Sequence, residues 1–382
     1  MRKKIRRLAA ACLALLLLSG CHSIAPQEKT IILSEPTATP AASNEPQSSL
    51  RFEVRRITNI PLDRLDPTGD HPNPAEAVIG WIDANNLVAM TVQSAQTAGT
   101  EAEETAQTSP QPTAEDDEGV RMTQFVRINY QYGFLDPILT LGNLEAECFD
   151  VSADGSLVAY VAGNILDIYS LHNGGRMQTL TRDVLASRVV FAQDGHELYF
   201  TAAGEDRKME SIQAETGEVA LVLPGMAYRP LAVSEKGMLF YLLSQGTQEV
   251  GYASQAGTEE ELLTGGTAGS AYILSSGDGL LVYDGDLYLV GAGGATLVQS
   301  NITAFDIGSD GMHIAYAVQN EDGSVDIRIG YWGGSRIIND RLTYKDIGIN
   351  VDTMYFSPDL EKLYLQGQDG NGALRAYTFE FQ

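Results

Sequence analysis

Residues Phe149–Val161 read FDVSADGSLVAYV. Apolar strand formers lead into Ser152-Ala153-Asp154-Gly155, and a second apolar run follows. Asp-Gly supplies the positive φ that a tight hairpin turn requires. The unit recurs along the chain. FAQDG (191–195) runs into HELYF, and VSEKG (233–237), IGSDG (307–311) and FSPDL (356–360) begin further copies. Ile273–Tyr283 (ILSSGDGLLVY) fits with one residue of slack. In Ala77–Val92 (AVIGWIDANNLVAMTV), Ile82–Asn86 stands over Val151–Gly155, with Asn85 and Asn86 at the turn positions. Asparagine tolerates the left-handed region best after glycine, so both are expected to serve there.

The turn positions define a period. Asp154 to Asp194 is 40 residues, Asp194 to Lys236 is 42 and Lys236 to Asp278 is 42. Asp278 to Asp310 is 32 and Asp310 to Asp359 is 49. Asn85 to Asp154 is 69, which becomes 43 once a polar insertion of 26 residues at 94–119 is set aside. After each hairpin two more strands are readable: Asn164–Ser170 with Arg176–Leu180, Arg207–Gln213 with Val219–Leu223, and Ser324–Tyr331 with Ser335–Ile338. Four strands in about 40 residues is the mark of a β-propeller blade. The chain is therefore read as all-β, with seven four-stranded blades over residues 50–382; six or eight are the counts that the uneven spacing also allows. The last copy shows three strands, Thr353–Phe356, Lys362–Gln366 and Leu374–Phe381. Leu50–Ile57 (LRFEVRRI) alternates like a half-exposed strand and lacks a hairpin partner. Pairing residues 51–57 with 374–381 supplies the missing strand and closes the ring, which hides its edges.

These copies resemble the repeats of TolB-type, WD-repeat-like propellers. That pattern runs from an apolar or aromatic residue through Ser-Pro-Asp-Gly into a strand ending in an aromatic. Phe356-Ser357-Pro358-Asp359 continuing to Tyr364 matches best, and Val151–Gly155 continuing to Tyr160 is next. Leu360 stands where the pattern has Gly, and Lys236 where it has Asp. The resemblance covers roughly 77–382. It implies a scaffold that binds proteins or small ligands on one face, and it carries no shared catalytic residue. No peptidase domain is expected after Gln382.

The N-terminus reads as a targeting segment. Arg2, Lys3, Lys4, Arg6 and Arg7 precede the 11-residue apolar run Leu8–Leu18, short of the ~20 that a membrane span needs. Leu18-Ser19-Gly20-Cys21 resembles a bacterial lipobox, which implies cleavage after residue 20 and lipidation of Cys21. Residues 21–49, rich in Pro, Ser, Thr and Ala, form a tether. The expected address is extracytoplasmic, on the cell membrane or on the outer membrane of a diderm. Removing residues 1–20 takes away five basic residues and no acidic ones, so the net charge of −25 becomes −30. Such a surface repels nucleic acid and anionic headgroups, so the lipid must hold the chain at the membrane. Cys148 is then the one cysteine left for the fold, so no internal disulfide forms, and its strand context (ECFDV) suits a small buried hydrophobe. The acidic 94–119 stretch is expected to be disordered, a long solvated loop, with a partner-binding segment as the alternative.

Catalytic patterns are sparse. His196 and His313 lie within two residues of their turns, at corresponding places in two blades, and are expected to be exposed. HExxH, CxxC and GxSxG are absent, so no transition-metal site, cofactor or nucleophile elbow is expected. GAGG (291–294) lies between strand-like runs and reads as a hairpin turn. Asp284–Asp286, Asp322–Asp326 and Asp369–Asn371 offer oxygens to Ca²⁺, and turn duty explains them without an ion. Trp81 lies in an apolar run and is expected in the core. Trp332 precedes Gly333-Gly334 and is the candidate binding surface for a protein or sugar. The reading is a lipid-anchored, non-catalytic scaffold for a protein or envelope component. The alternatives are a glycosidase- or lactonase-like hydrolase with its site in the central funnel, and a ligand sensor for a membrane partner.

Overall fold

The computed structural model describes residues 52–60, 62, 75–94, 121–133, 135–141, 146–173, 175–180, 184–203, 208–223, 228–234, 239–245, 247–253, 259–291 and 294–382. Cys21, the tether and the insertion from residue 95 lie outside them. Strand β1 (Val54–Ile60) precedes seven successive groups. The first is β2 (Ala75–Asp83), β3 (Asn86–Ser94), β4 (Arg121–Asn129) and β5 (Leu135–Thr140). The second is β6 (Cys148–Val151), β7 (Leu157–Ala162), β8 (Ile165–Ser170) and β9 (Arg176–Leu180). The third is β10 (Val184–Phe191), β11 (Glu197–Ala202), β12 (Lys208–Gln213) and β13 (Val219–Leu223). The fourth is β14 (Tyr228–Val233), β15 (Leu239–Gln245), β16 (Thr247–Ala253) and β17 (Glu259–Gly266). The fifth is β18 (Ala268–Ile273), β19 (Gly279–Tyr283), β20 (Asp286–Gly291) and β21 (Gly294–Gln299). The sixth is β22 (Ile302–Ile307), β23 (His313–Gln319), β24 (Val325–Trp332) and β25 (Ile337–Tyr344). The last is β26 (Ile349–Phe356), β27 (Lys362–Asp369) and β28 (Leu374–Phe381).

Each group is an antiparallel sheet in chain order, and β1 adds to β28 as the fourth strand of the last. Val54 stands opposite Phe381 and Ile60 opposite Ala376. The first strands of successive sheets touch in turn, β2 to β6, β10, β14, β18, β22, β26 and back to β2. The architecture is an all-β propeller of four-stranded blades. The second strands explain why the repeat was readable. β7 (LVAYVA) and β19 (GLLVY) are buried at every residue, because neighbouring sheets cover both faces. The outermost β9 and β21 are mostly exposed.

The repeated turn is a small hydrogen-bond device. Ser152 Oγ donates to Asp154 Oδ1 (2.6 Å) and accepts Leu157 N–H (2.9 Å), while Gly155 N–H reaches Ser152 C=O (2.8 Å). Ser357, Asp359, Lys362 and Leu360 repeat the same three contacts. Leu360 takes the left-handed conformation at φ 60 without being glycine. Its side chain is buried in the core beside Gly308, the glycine of the preceding blade, and this packing offsets a backbone cost of about 1–2 kcal/mol.

Four expectations need correction. Neither Asn85 nor Asn86 adopts positive φ; Asp83 Oδ1 accepts both of their N–H groups (2.7 and 3.0 Å) and shapes the turn instead. In the fifth blade the left-handed residue is Gly277 (φ 95), before Asp278 rather than after it. β25 continues to Tyr344, past the expected end at Ile338. His313 is buried, not exposed, because Phe52 from the other end of the chain packs on its ring at 4.8 Å. His196 is exposed.

Gly155 and Gly311 have nearly equal φ, 69 and 68. A Cβ at 155 would sit 2.7 Å from the Ile82 carbonyl oxygen of the previous blade and closer still to that of Trp81, whereas a Cβ at 311 meets nothing within 4 Å. Gly311→Ala should therefore cost about 1–2 kcal/mol in strain alone, and Gly155→Ala about 3–5 kcal/mol, because a blade contact is also pushed apart. Denaturant unfolding of the two variants checks this; equal losses would show that the turn does not pack on its neighbour.

Candidate functional site

The inner strands enclose a cavity of about 420 Å³. Six blades line it, with polar groups from Asp150 on β6, Arg188 on β10, Ser270 and Tyr272 on β18, Asp306 on β22, and Asp352, Thr353 and Tyr355 on β26; Gln193 follows β10. Phe149, Phe305 and Leu231 supply apolar wall.

Asp150 and Asp306 hold equivalent positions, each four residues before the turn aspartate of its blade (Asp154, Asp310). An inner strand is a sheet edge, so some of its N–H groups have no ladder partner. Asp150 Oδ2 accepts the Phe191 N–H of the next blade at 2.7 Å, and Asp306 Oδ2 accepts the Phe356 N–H of its next blade, also at 2.7 Å. Each carboxylate thus staples one blade to the next. Tyr355 stands at the same repeat position, and so does Trp81, which carries out the reverse contact: its indole N–H donates to Tyr355 C=O at 3.0 Å. That bond joins the first and last blades, and Trp81 is buried in the core as expected.

Both staple aspartates are half-buried and line the cavity. Burial pushes Asp150 up to about 6, against the Phe191 N–H and the charge of Arg188. Burial pushes Asp306 up to about 7, against N–H groups of Phe356 and Ile307 alone. Asp154 goes the other way: despite partial burial, bonds from Ser152 and Ser156 hold it below the usual range. Burial lowers the Arg188 guanidinium, and Asp150 and Tyr355 oppose that. Burial raises Tyr355, and Asp150, Asp306 and Asp352 raise it further, so three carboxylates act on one phenol.

The other candidates lie elsewhere. Trp332 is half-buried on β24, packed with Ile337 against the sixth blade's core and away from the cavity. Cys148 is half-buried and burial pushes its thiol up to about 11, which suits an inert side chain. Gly291 and Gly294 of GAGG end β20 and begin β21 and pair with each other; residues 292–293 lie outside the described residues. Asp322 accepts from Ser324, Asp369 from Asn371 and Ala373, Asp284 from Thr267 and Asp286 from Asn301. Among the described residues no group of three or more His, Cys, Asp or Glu is placed to hold a metal ion. Sequence reading missed Asp150, Asp306 and Arg188. A signal existed for the first two, the shared Phe-Asp-Val/Ile ahead of the turn; nothing in VLASRVV marks Arg188.

No protein-family model matches the chain, and no curated protein matches it in sequence. Its likenesses are to solved structures. An oligogalacturonate lyase from Vibrio parahaemolyticus is 12% identical at a TM-score of 0.52, covering 93% of this chain and 98% of that one. A chain of the mitotic checkpoint complex is 10% identical, also at 0.52, covering 90% and 100%. A β-propeller domain from Myceliophteria thermophila is 10% identical at 0.47, covering 81% and 97%. At these identities the shared property is the fold, and 1094 chains share it.

The staple assignment has a pH signature. The folded chain holds protons on Asp150 and Asp306 above the ordinary 3.8, so it binds more protons than the unfolded chain between about pH 4 and 7. Their contribution is fully present below about pH 4 and is lost as pH rises through 6 to 7. Asp306→Asn keeps an oxygen for the Phe356 N–H and removes the ionisation. Its melting temperature should fall less than that of the unaltered chain from pH 5 to pH 8, as measured by scanning calorimetry. Parallel curves would mean that Asp306 ionises freely.

Proposed function

We propose that this chain is a lipid-anchored, extracytoplasmic β-propeller of seven blades that binds a ligand or protein partner without transforming it. The observation that carries the reading is the double duty of the channel carboxylates. Asp150 and Asp306, the acids most shifted toward neutrality, are held on backbone N–H groups of adjacent blades. Their shifts follow from ring assembly, so they need no catalytic role. What remains is a preformed polar cavity in a rigid scaffold, the usual setting of a binding site. Trp332, beside exposed Met312 and Ile338, is the proposed apolar contact for a protein partner. The anchor is proposed on Cys21 from its sequence context.

A second reading is an enzyme acting on acidic oligosaccharides. The likeness to an oligogalacturonate lyase suits it, and so does the placing of Arg188 and Asp306 in one channel. Elimination from a uronide needs a base for the proton α to the carboxylate and a cation for the developing charge.

Two measurements separate these readings. Full-length chain should fractionate with membranes, and Cys21→Ala should move it to the aqueous phase; retention of the variant on the membrane would remove the lipid anchor. Incubation with oligogalacturonate should leave the polymer intact. Release of unsaturated product, lost in Arg188→Met, would replace the binding reading with the enzymatic one.

A further inference from the structure

Among the described residues that line the cavity Arg188 is the one cation, beside the carboxyls of Asp150, Asp306 and Asp352. Among the described residues the Arg188 guanidinium makes no hydrogen bond and no close ion pair; Asp150 and Tyr355 act on it only through space. The half-buried side chain keeps its N–H donors free for a ligand, and a guanidinium fork matches a carboxylate. The Tyr355 hydroxyl also makes no hydrogen bond among the described residues, while its ring lines the cavity.

The opposite wall is complementary. Around the ring of inner strands β22 lies three blades from β10 in one direction and β26 three blades from it in the other. Arg188 therefore stands across the channel from Asp306 and Asp352. Asp306 accepts backbone N–H groups and has no cation beside it. Asp352 is exposed, lines the cavity and accepts from Thr353 Oγ1 at 2.9 Å, again with no cation beside it among the described residues. Tyr272, Phe305 and Tyr355 place aromatic rings on that same side, where an ammonium gains from ring faces as well as from carboxylates. A guanidinium thus faces two carboxyls that have no cation beside them among the described residues, across a space of about 420 Å³, room for an amino acid or a dipeptide.

We propose that the channel binds a small zwitterion, its carboxylate on Arg188 and its ammonium between Asp352 and Asp306. This rests on the reading of the channel as a binding site. Such a ligand sets a charge of opposite sign against Arg188 and against Asp352 and Asp306 at once. A ligand with only one of the two charges leaves one wall unsatisfied, and the difference gives selectivity.

The test is a thermal shift of the full-length chain in detergent. The zwitterionic probes are glycine, L-lysine and glycylglycine; acetate, methylammonium and galacturonate are controls at matched ionic strength. At least one zwitterion should raise the melting temperature by roughly 2–5 °C at saturation, with acetate and methylammonium giving less than about a third of that. Arg188→Met and Asp352→Asn should each abolish the shift. Asp352 is exposed, so its variant is expected to fold even where Arg188→Met does not. No shift with any zwitterion overturns the proposal, as does a shift that survives Asp352→Asn. A shift with galacturonate alone overturns it too, while leaving the channel as a binding site for an acidic sugar. Failure of every probe leaves the lipid-anchor reading standing, since fractionation tests that separately.

Discussion

The ring depends on how its inner strands satisfy their free edges. A sheet edge in a closed propeller cannot pair with another strand of its own sheet, and the inner edge also cannot be left to water in a narrow channel. In two blades an aspartate reaches forward to the next inner strand, and the first blade reaches back with an indole. Between the third and fourth blades the backbone does the work, with an Ala192–Val233 bridge and Gln193 N–H on Val233 C=O at 3.1 Å. Gln193 spans further, donating to Ile273 C=O of the fifth blade at 2.6 Å. Different side chains thus solve one geometric problem, and the blades are not interchangeable.

These solutions set the chemistry of the channel. A carboxylate that accepts a buried N–H is both desolvated and held, so its proton is retained to higher pH unless a cation stands by. Asp150 has Arg188 within electrostatic reach and is raised less than Asp306, which has none. The same residue type four positions later, in the turn, is surrounded by hydroxyl and N–H donors and is lowered. Position within the blade, not residue identity, decides which aspartates hold protons near neutrality.

Much of the fold was legible because it is local. The Ser-x-Asp-Gly turn closes on itself, and second strands such as β7, β19 and β27 are buried on both faces, so both leave marks in a few consecutive residues. The orphan strand and the three-stranded last copy were also readable as one sheet, because closure demands a partner for each. The channel was not legible. Arg188 sits inside an apolar strand, VLASRVV, and becomes a channel residue only when seven strands converge. Asp150 and Asp306 were hidden among many turn aspartates. His313 was misread because what buries it, Phe52, is 261 positions away in sequence.

The central claim is that acidic side chains of one blade bind the inner edge of the next. Amide hydrogen exchange at Phe191 and Phe356 tests it most directly, with Asp306→Asn as comparison. Both amides should exchange as slowly as the buried ladder amides of β11 and β27, and the variant should retain protection at Phe356. Rapid exchange at both positions in an otherwise folded ring would contradict the account.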